Sequence, residues 1–233
     1  MGDVTAMTEM QPEDVFARAR RFMVDGQLRP NRVNDPLLLS AMGTLPRHLF
    51  APADLAARAH ADQDLPLPGG RVMMQPMMLA KLIQLLALRD GDRLLLVGAG
   101  TGYSSAVAAA LGARVVALEE DVGLLATARH LVPNLVPPGA VTLVEGPLDL
   151  GHPPGDPYEA ILIEGEVPAV PERLVAQLAE GGRLVTVLAS GSRGRGARAV
   201  TGRKAGGGFS LADAFDCSTA ALATFQPAPS FVF

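Results

Sequence analysis

From Arg93 onward the sequence alternates short apolar runs with longer helix-compatible stretches, and this alternation constrains the fold more than any other feature. The runs are Leu94–Val97, Val115–Leu118, Val141–Val144, Ala160–Ile163 and Leu184–Leu188. Each is short and continuously apolar, which suits a strand buried on both faces of a parallel sheet. Tyr103–Leu111, Val122–Leu131 and Pro171–Ala179 fall between them as helices. Strand-helix-strand order predicts an α/β fold: an open, mostly parallel sheet with helices on both faces and right-handed crossovers.

The flanks read differently. Up to residue 88 the chain is expected to form short helices and turns that pack on an 89–233 core, the two together making one structural unit. Pro12-Glu13-Asp14 opens a helix through Met23, with acids at its positive end. Asp35-Pro36 is an N-cap followed by Pro at the first helical position. Leu65-Pro66-Leu67-Pro68-Gly69-Gly70 must be an extended loop, and Pro76 starts a helix with Met78, Leu82, Leu85 and Leu86 at helical spacing. The tail from Ser190 carries Arg193, Arg195, Arg198, Arg203 and Lys204 among glycines. It could contact phosphate or RNA. The preferred reading is an antiparallel hairpin around Gly206-Gly207-Gly208.

Composition removes several classes of function. One cysteine, Cys217, excludes a disulfide framework, and the four scattered histidines (His48, His60, His130, His152) offer no metal-ligand spacing. No metal is expected. A net charge of −4 argues against a nucleic-acid partner. Leu94–Ala113 is 20 residues without a charge, but Gly98, Gly100 and Gly102 with Thr101, Ser104 and Ser105 make it a strand, a turn and an Ala-rich helix rather than a membrane span. With no signal-like segment in Met1–Met10, a soluble cytoplasmic protein without membrane partners is expected. The oligomeric state is not legible.

Gly98-Ala99-Gly100-Thr101-Gly102 follows a strand and precedes a helix, the context a nucleotide loop requires. Glycines let the backbone turn tightly and approach a ligand without Cβ interference. Glu119 stands seventeen residues after Gly102, at the end of the next strand, where a carboxylate can accept both hydroxyls of a ribose. A structural turn with a surface acid would show the same pattern without that placement. A dinucleotide fingerprint would need glycine at position 103, which is Tyr103, and no Walker motif is present.

The G-x-G-x-G form resembles the first motif of S-adenosylmethionine-dependent methyltransferases, and the flanks narrow the resemblance. Gln27-Leu28-Arg29, Asp35, Ala41-Met42, Pro46-Arg47 and Phe50 resemble the N-terminal signature of protein-L-isoaspartate O-methyltransferases. Leu65-Pro66 and Gln75-Pro76 resemble that family's loop before its first long helix. Gly98 to Tyr103 resembles its cofactor loop. Pro157 to Ile161 and Gln177 to Arg183 are similar to its later strand and helix-to-strand turn. The likeness runs in order from about Phe22 to Leu188. It implies a Rossmann-like methyltransferase sheet with an N-terminal helical extension and a C-terminal hairpin. It also implies S-adenosyl-L-methionine as cofactor, and isoaspartyl residues of damaged proteins or peptides as substrate. Gly98, Ala99, Gly100, Gly102, Tyr103, Glu119, Glu120, Gly146 and Pro147 are the implied cofactor residues. Met74, Gln75 and Glu164 are the implied catalytic positions.

Three positions depart from the family pattern. Met74 replaces a Ser associated with the reactive centre, and a thioether cannot donate a hydrogen bond. Gly146-Pro147-Leu148 replaces Gly-Asp-Gly, removing the acid near the adenine unless Glu145 or Asp149 serves instead. Glu164-Gly165-Glu166 replaces Thr-Ala-Ala, placing two acids where an anionic substrate would sit. Alternatives are therefore a same-fold methyltransferase with another acceptor, a non-catalytic cofactor-binding module and, more remotely, a nicotinamide dehydrogenase. Of the remaining residues, His60 reads as an exposed loop histidine. Arg47 reads as a carboxylate partner or a surface, helix-end residue. Tyr103 reads as packing and Cys217 as an inert buried thiol.

Overall fold

A computed structural model describes residues 12–189 and 196–226, so Arg193, Arg195 and the Met1–Met10 segment lie outside the described residues. Strands β3 (Arg93–Val97), β4 (Arg114–Glu119), β5 (Val141–Glu145), β6 (Tyr158–Val167), β7 (Leu178–Leu188), β8 (Arg198–Ala205) and β9 (Gly208–Asp216) form one sheet in the order β5-β4-β3-β6-β7-β8-β9. It is parallel through β7, and β8 and β9 then run antiparallel. A two-stranded ribbon, β1 (Leu65–Pro66) with β2 (Val72–Met73), precedes it. The helices are α1 (Pro12–Met23), α2 (Pro36–Thr44), α3 (Pro76–Leu86), α4 (Tyr103–Ala110), α5 (Val122–Leu131) and α6 (Glu172–Ala176).

The central strand explains the layering. Successive side chains of a strand point to opposite faces. Leu94 and Leu96 enter a cluster with Leu82 of α3, Val107 of α4 and, from the N-terminal region, Met23, Leu38 and Phe50. Leu95 and Val97 enter the opposite cluster with Tyr158, Leu174 and Leu222. All four are fully buried, each burial contributing roughly 1.5–3 kcal/mol. Local signals set the helix starts: the Asp35 carboxylate accepts from the amides of Leu37 and Leu38 at 2.9 and 3.1 Å. Asp121 accepts from Leu124 at 2.9 Å and caps α5.

Two expectations need correction. The run Val141–Val144 is not buried on both faces: β5 is the sheet edge, and Thr142 and Glu145 are exposed. The helix expected over Pro171–Ala179 ends at Ala176. There the buried Gln177 side chain donates to the carbonyls of Leu150 and Arg173 and accepts from the His152 amide. Its backbone carbonyl takes the Tyr158 amide at 2.9 Å, drawing the chain into β7 from Leu178, ahead of the expected start at Leu184. The tail forms the expected hairpin, turning through Gly206 and Gly207 at φ of 58° and 76°, a backbone that favours glycine. No helix among the described residues is long and apolar enough to cross a membrane.

Candidate active site

The strand order switches direction between β3 and β6, and because β4, β3 and β6 are parallel their carboxyl ends lie side by side, where open α/β sheets bind ligands. The glycine loop leaves β3 and folds over β4, with the amides of Gly98 and Ala99 donating to the Leu118 carbonyl. Its glycines have different reasons. A Cβ on Gly102 would lie 2.7 Å from Val132 Cγ2, so packing requires that glycine. A Cβ on Gly100 would meet only Leu67 at 3.8 Å, so what demands glycine there is its φ of 56°.

Glu119 stands at the end of β4 beside this loop, where its spacing puts it, and is fully buried. Oε2 accepts from the Gly100 amide at 2.6 Å, and Oε1 accepts from the amides of Glu120 and Asp121 at 3.0 Å each. The remaining donor comes from a residue the sequence reading missed. Arg71 donates through Nη1 to Glu119 Oε1 at 2.8 Å and through Nη2 to the Gly98 carbonyl at 2.9 Å. No local pattern marks Arg71, because its partners lie 27 and 48 residues away.

The other cofactor candidates divide. Gly146 donates to the Glu119 carbonyl at 3.1 Å and so adjoins the site, with Pro147 next in the chain. Both also border a cavity of about 580 Å³ lined by Leu118, Leu150, His152 and Gln177, but no residue of the glycine loop faces it. Glu120 contributes only its amide. Its exposed side chain turns to the hydroxyl of Thr224.

On the β6 side the polar atoms lack partners. Met74 is buried, and its carbonyl accepts from Arg47 Nη2 at 2.5 Å. Gln75 caps α3 and donates its amide to Asp64 at 2.8 Å. Arg47 stands at the end of a helix, opening the short Arg47–Phe50 turn, but is neither a surface nor a carboxylate-paired residue. It is fully buried, donates to the carbonyls of Ala59 and Met74, and lies 4.8 Å over the Tyr103 ring. That ring meets Phe50 edge-on at 5.4 Å. Arg47 Nη1, Tyr103 Oη, Ser104 Oγ and Glu164 Oε2 are buried and make no well-formed hydrogen bond among the described residues, although Tyr103 lies close enough to act on Arg47 and Ser104 on Glu164. Burial pushes the Glu164 carboxyl up to about 7, with the Ser104 hydroxyl and the charges of Arg71 and Arg47 pulling the other way and Glu119 adding to the rise.

The two acids of Glu164-Gly165-Glu166 do not act together. Glu166 is tied by its backbone to Ala220 and Leu222, and its charge is felt at Cys217, whose buried thiol is pushed up to about 11. His60 is corrected too. It is buried beside His48 and Phe16 rather than exposed, and desolvation takes it down to about 4. No group of metal-binding side chains occurs among the described residues.

The cradle fits a nucleoside: three glycines at positive φ curl around the end of β3, and a buried carboxylate waits at the end of β4. The sequence profile described as Protein-L-isoaspartate(D-aspartate) O-methyltransferase matches residues 20–209. The chain belongs to this family. The protein-L-isoaspartate O-methyltransferase of Methylorubrum populi is 46% identical over 169 residues, covering 72% of this chain and 78% of its own. That of Herpetosiphon aurantiacus is 42% identical over 177 residues, 75% and 78% of the two chains. A solved protein-L-isoaspartate O-methyltransferase superposes with a TM-score of 0.71 at 23% identity, over 91% of this chain but only 65% of its own. A Plasmodium falciparum beta-aspartate methyltransferase in complex with S-adenosyl-L-homocysteine gives a TM-score of 0.72 at 18% identity, over 88% and 98%. At such identities the two structures speak for the fold alone, which this chain shares with them.

Proposed function

We propose that this chain transfers the methyl group of S-adenosylmethionine to the α-carboxylate of isoaspartyl residues in proteins or peptides. The observation that carries this reading is the glycine loop bent over the Glu119 carboxylate within a segment that matches the family throughout. Bound S-adenosylmethionine supplies an electrophilic sulfonium methyl. An acceptor carboxylate is already a nucleophile, so the chain has no proton to move. Its work is positioning and the exclusion of water.

In this reading Gly98, Ala99, Gly100, Gly102 and Glu119 hold the nucleoside, while Gly146 and Pro147 border the base. Tyr103 acts from behind by packing on Phe50 and Arg47. Glu120 joins the site through its amide. Met74, Gln75 and Glu164 face the acceptor. The N-terminal elements supply Arg47 and Met74, so residues 1–88 and 89–233 work as one unit, and we take the cytoplasm as its compartment.

Incubation with methyl-labelled S-adenosylmethionine and a peptide in isoaspartyl and ordinary aspartyl forms tests the proposal. Label should enter only the isoaspartyl form, as a base-labile ester. Cofactor binding without any transfer to that peptide would overturn it. Met74 and the unpartnered Glu164 oxygen favour one second reading, the same chemistry on another acceptor. That reading expects label in proteins of a cell lysate but none in the peptide.

A further inference from the structure

Resting on the methyl-transfer reading above, we propose that Arg71 couples the two halves of the site: it covers Glu119 until a ribose takes that carboxylate, and then pairs with the carboxylate of the acceptor. The acceptor capacity of Glu119 is already taken up by the chain. Oε1 already takes three donors, Oε2 takes the Gly100 amide, and neither oxygen reaches solvent. Three of these donors are backbone amides fixed by the loop and by the start of α5. The fourth is a side chain. A ribose can therefore approach Glu119 only if Arg71 moves.

The segment that carries Arg71 lies over the loop. Leu67 is the neighbour a Cβ on Gly100 would meet, and Asp121 the one a Cβ on Gly69 would meet. Arg71 Nη2 sits 3.0 Å from the Cβ position of Gly98, a point that is 3.5 Å from the Glu164 carbonyl. The guanidinium thus lies across the end of β3, between Glu119 at the end of β4 and Glu164 on β6. Displaced from Glu119, it moves toward the side where the acceptor binds. An anionic acceptor needs a cation there, because Glu164 and Glu119 both oppose it. Arg47 is less free to answer, since it is fully buried and committed to two carbonyls. Arg71 is the cation that cofactor binding would release.

Calorimetry on the full chain separates the two halves of this proposal without needing turnover. Arg71→Gln should bind S-adenosyl-L-homocysteine several-fold more tightly, because no guanidinium has to be displaced. The complex of that variant with S-adenosyl-L-homocysteine should bind an isoaspartyl peptide about tenfold or more weakly, through loss of a charge-assisted pair. Arg71→Lys should fall between the two on both measures, and it also serves if Arg71→Gln does not fold. A merely structural arginine would move both affinities in the same direction, or neither, along with the melting temperature. Unchanged or weaker cofactor binding overturns the covering role, and unchanged peptide affinity overturns the pairing role. Both affinity differences between Arg71→Gln and wild type, with no methyl transfer by the wild-type protein, would sink the proposed activity and leave Arg71's role standing.

Discussion

The two ends of strands that flank β3 are built on opposite terms. At the end of β4 every oxygen of Glu119 is matched by donors from the chain itself. On the β6 side Arg47 Nη1, Tyr103 Oη, Ser104 Oγ and Glu164 Oε2 are buried and unmatched. Buried polar groups are ordinarily paired, and each one left unpaired costs about 1–3 kcal/mol. The first region is satisfied as it stands, so a ligand there has to exchange one donor for another. The second leaves polar atoms near one another without well-formed hydrogen bonds, although Ser104 still pulls on Glu164 and Tyr103 on Arg47.

Within the β4 side, the loop glycines offer the largest effect. Gly102→Val would drive a side chain into Val132 and Ala128 at a backbone of φ 94°, which valine avoids. Overpacking and the left-handed conformation together should cost about 2–5 kcal/mol. Gly100→Val meets only Leu67, so it should cost less stability yet still abolish binding of S-adenosyl-L-homocysteine. Thermal denaturation with calorimetry tells them apart; equal losses of stability would show that both glycines serve packing. Glu119→Ala follows, weakening cofactor binding by about 1–3 kcal/mol through the lost charge-assisted hydrogen bonds. An unchanged cofactor affinity would make Glu119 a structural anchor for Arg71 and the three amides, erasing the functional side of the contrast.

The same contrast marks what was legible in the sequence. The glycine loop, Glu119, the Asp35 cap and the strand-helix alternation all depend on neighbours within a few residues or on a fixed βα spacing. They could be read directly. Arg71, Arg47 and His60 owe their environment to partners brought in from far along the chain, and nothing in their local sequence announces burial. A charged residue is usually taken for a surface one, yet Arg47 is buried because two carbonyls, of Ala59 and Met74, converge on it. The edge position of β5 and the early end of α6 were hidden for the same reason. Sheet order and the Gln177 contacts are properties of the assembled fold.

On the β6 side, the departures from the family pattern can be reversed. Met74→Ser restores a hydroxyl, and Glu164→Thr removes an acid that opposes an anionic acceptor. Together they should raise the rate on an isoaspartyl peptide by roughly ten- to a hundred-fold, the worth of one hydrogen bond to a charged group. Adding Glu166→Ala should contribute little, because Glu166 is tied by its backbone to Ala220 and Leu222 and adjoins Cys217 instead. If the double change lowers transfer to proteins of a lysate and adds none to the peptide, the acceptor side has been shaped for a different substrate.

The smallest effect concerns the proton on Glu164. Burial raises this carboxyl from its ordinary value of 4.5 to about 7, against the pull of Ser104, Arg71 and Arg47. Below pH 4.5 the group is protonated in both the folded and unfolded chain, and its contribution to stability is complete. Between 4.5 and 7 the folded protein keeps a proton that the unfolded chain has released, so stability falls as pH rises and levels off above 7. The side chain is partly exposed, so the loss should be on the order of 1 kcal/mol rather than the full value of the shift. Glu164→Gln has no proton to lose, and the stability difference between variant and wild type should therefore grow from pH 4.5 to 7 and then stay constant. Denaturant titrations across that range measure it. Parallel curves would mean that Glu164 is solvated like a surface acid, and the unmatched character of the β6 side would then rest on Arg47, Tyr103 and Ser104 alone.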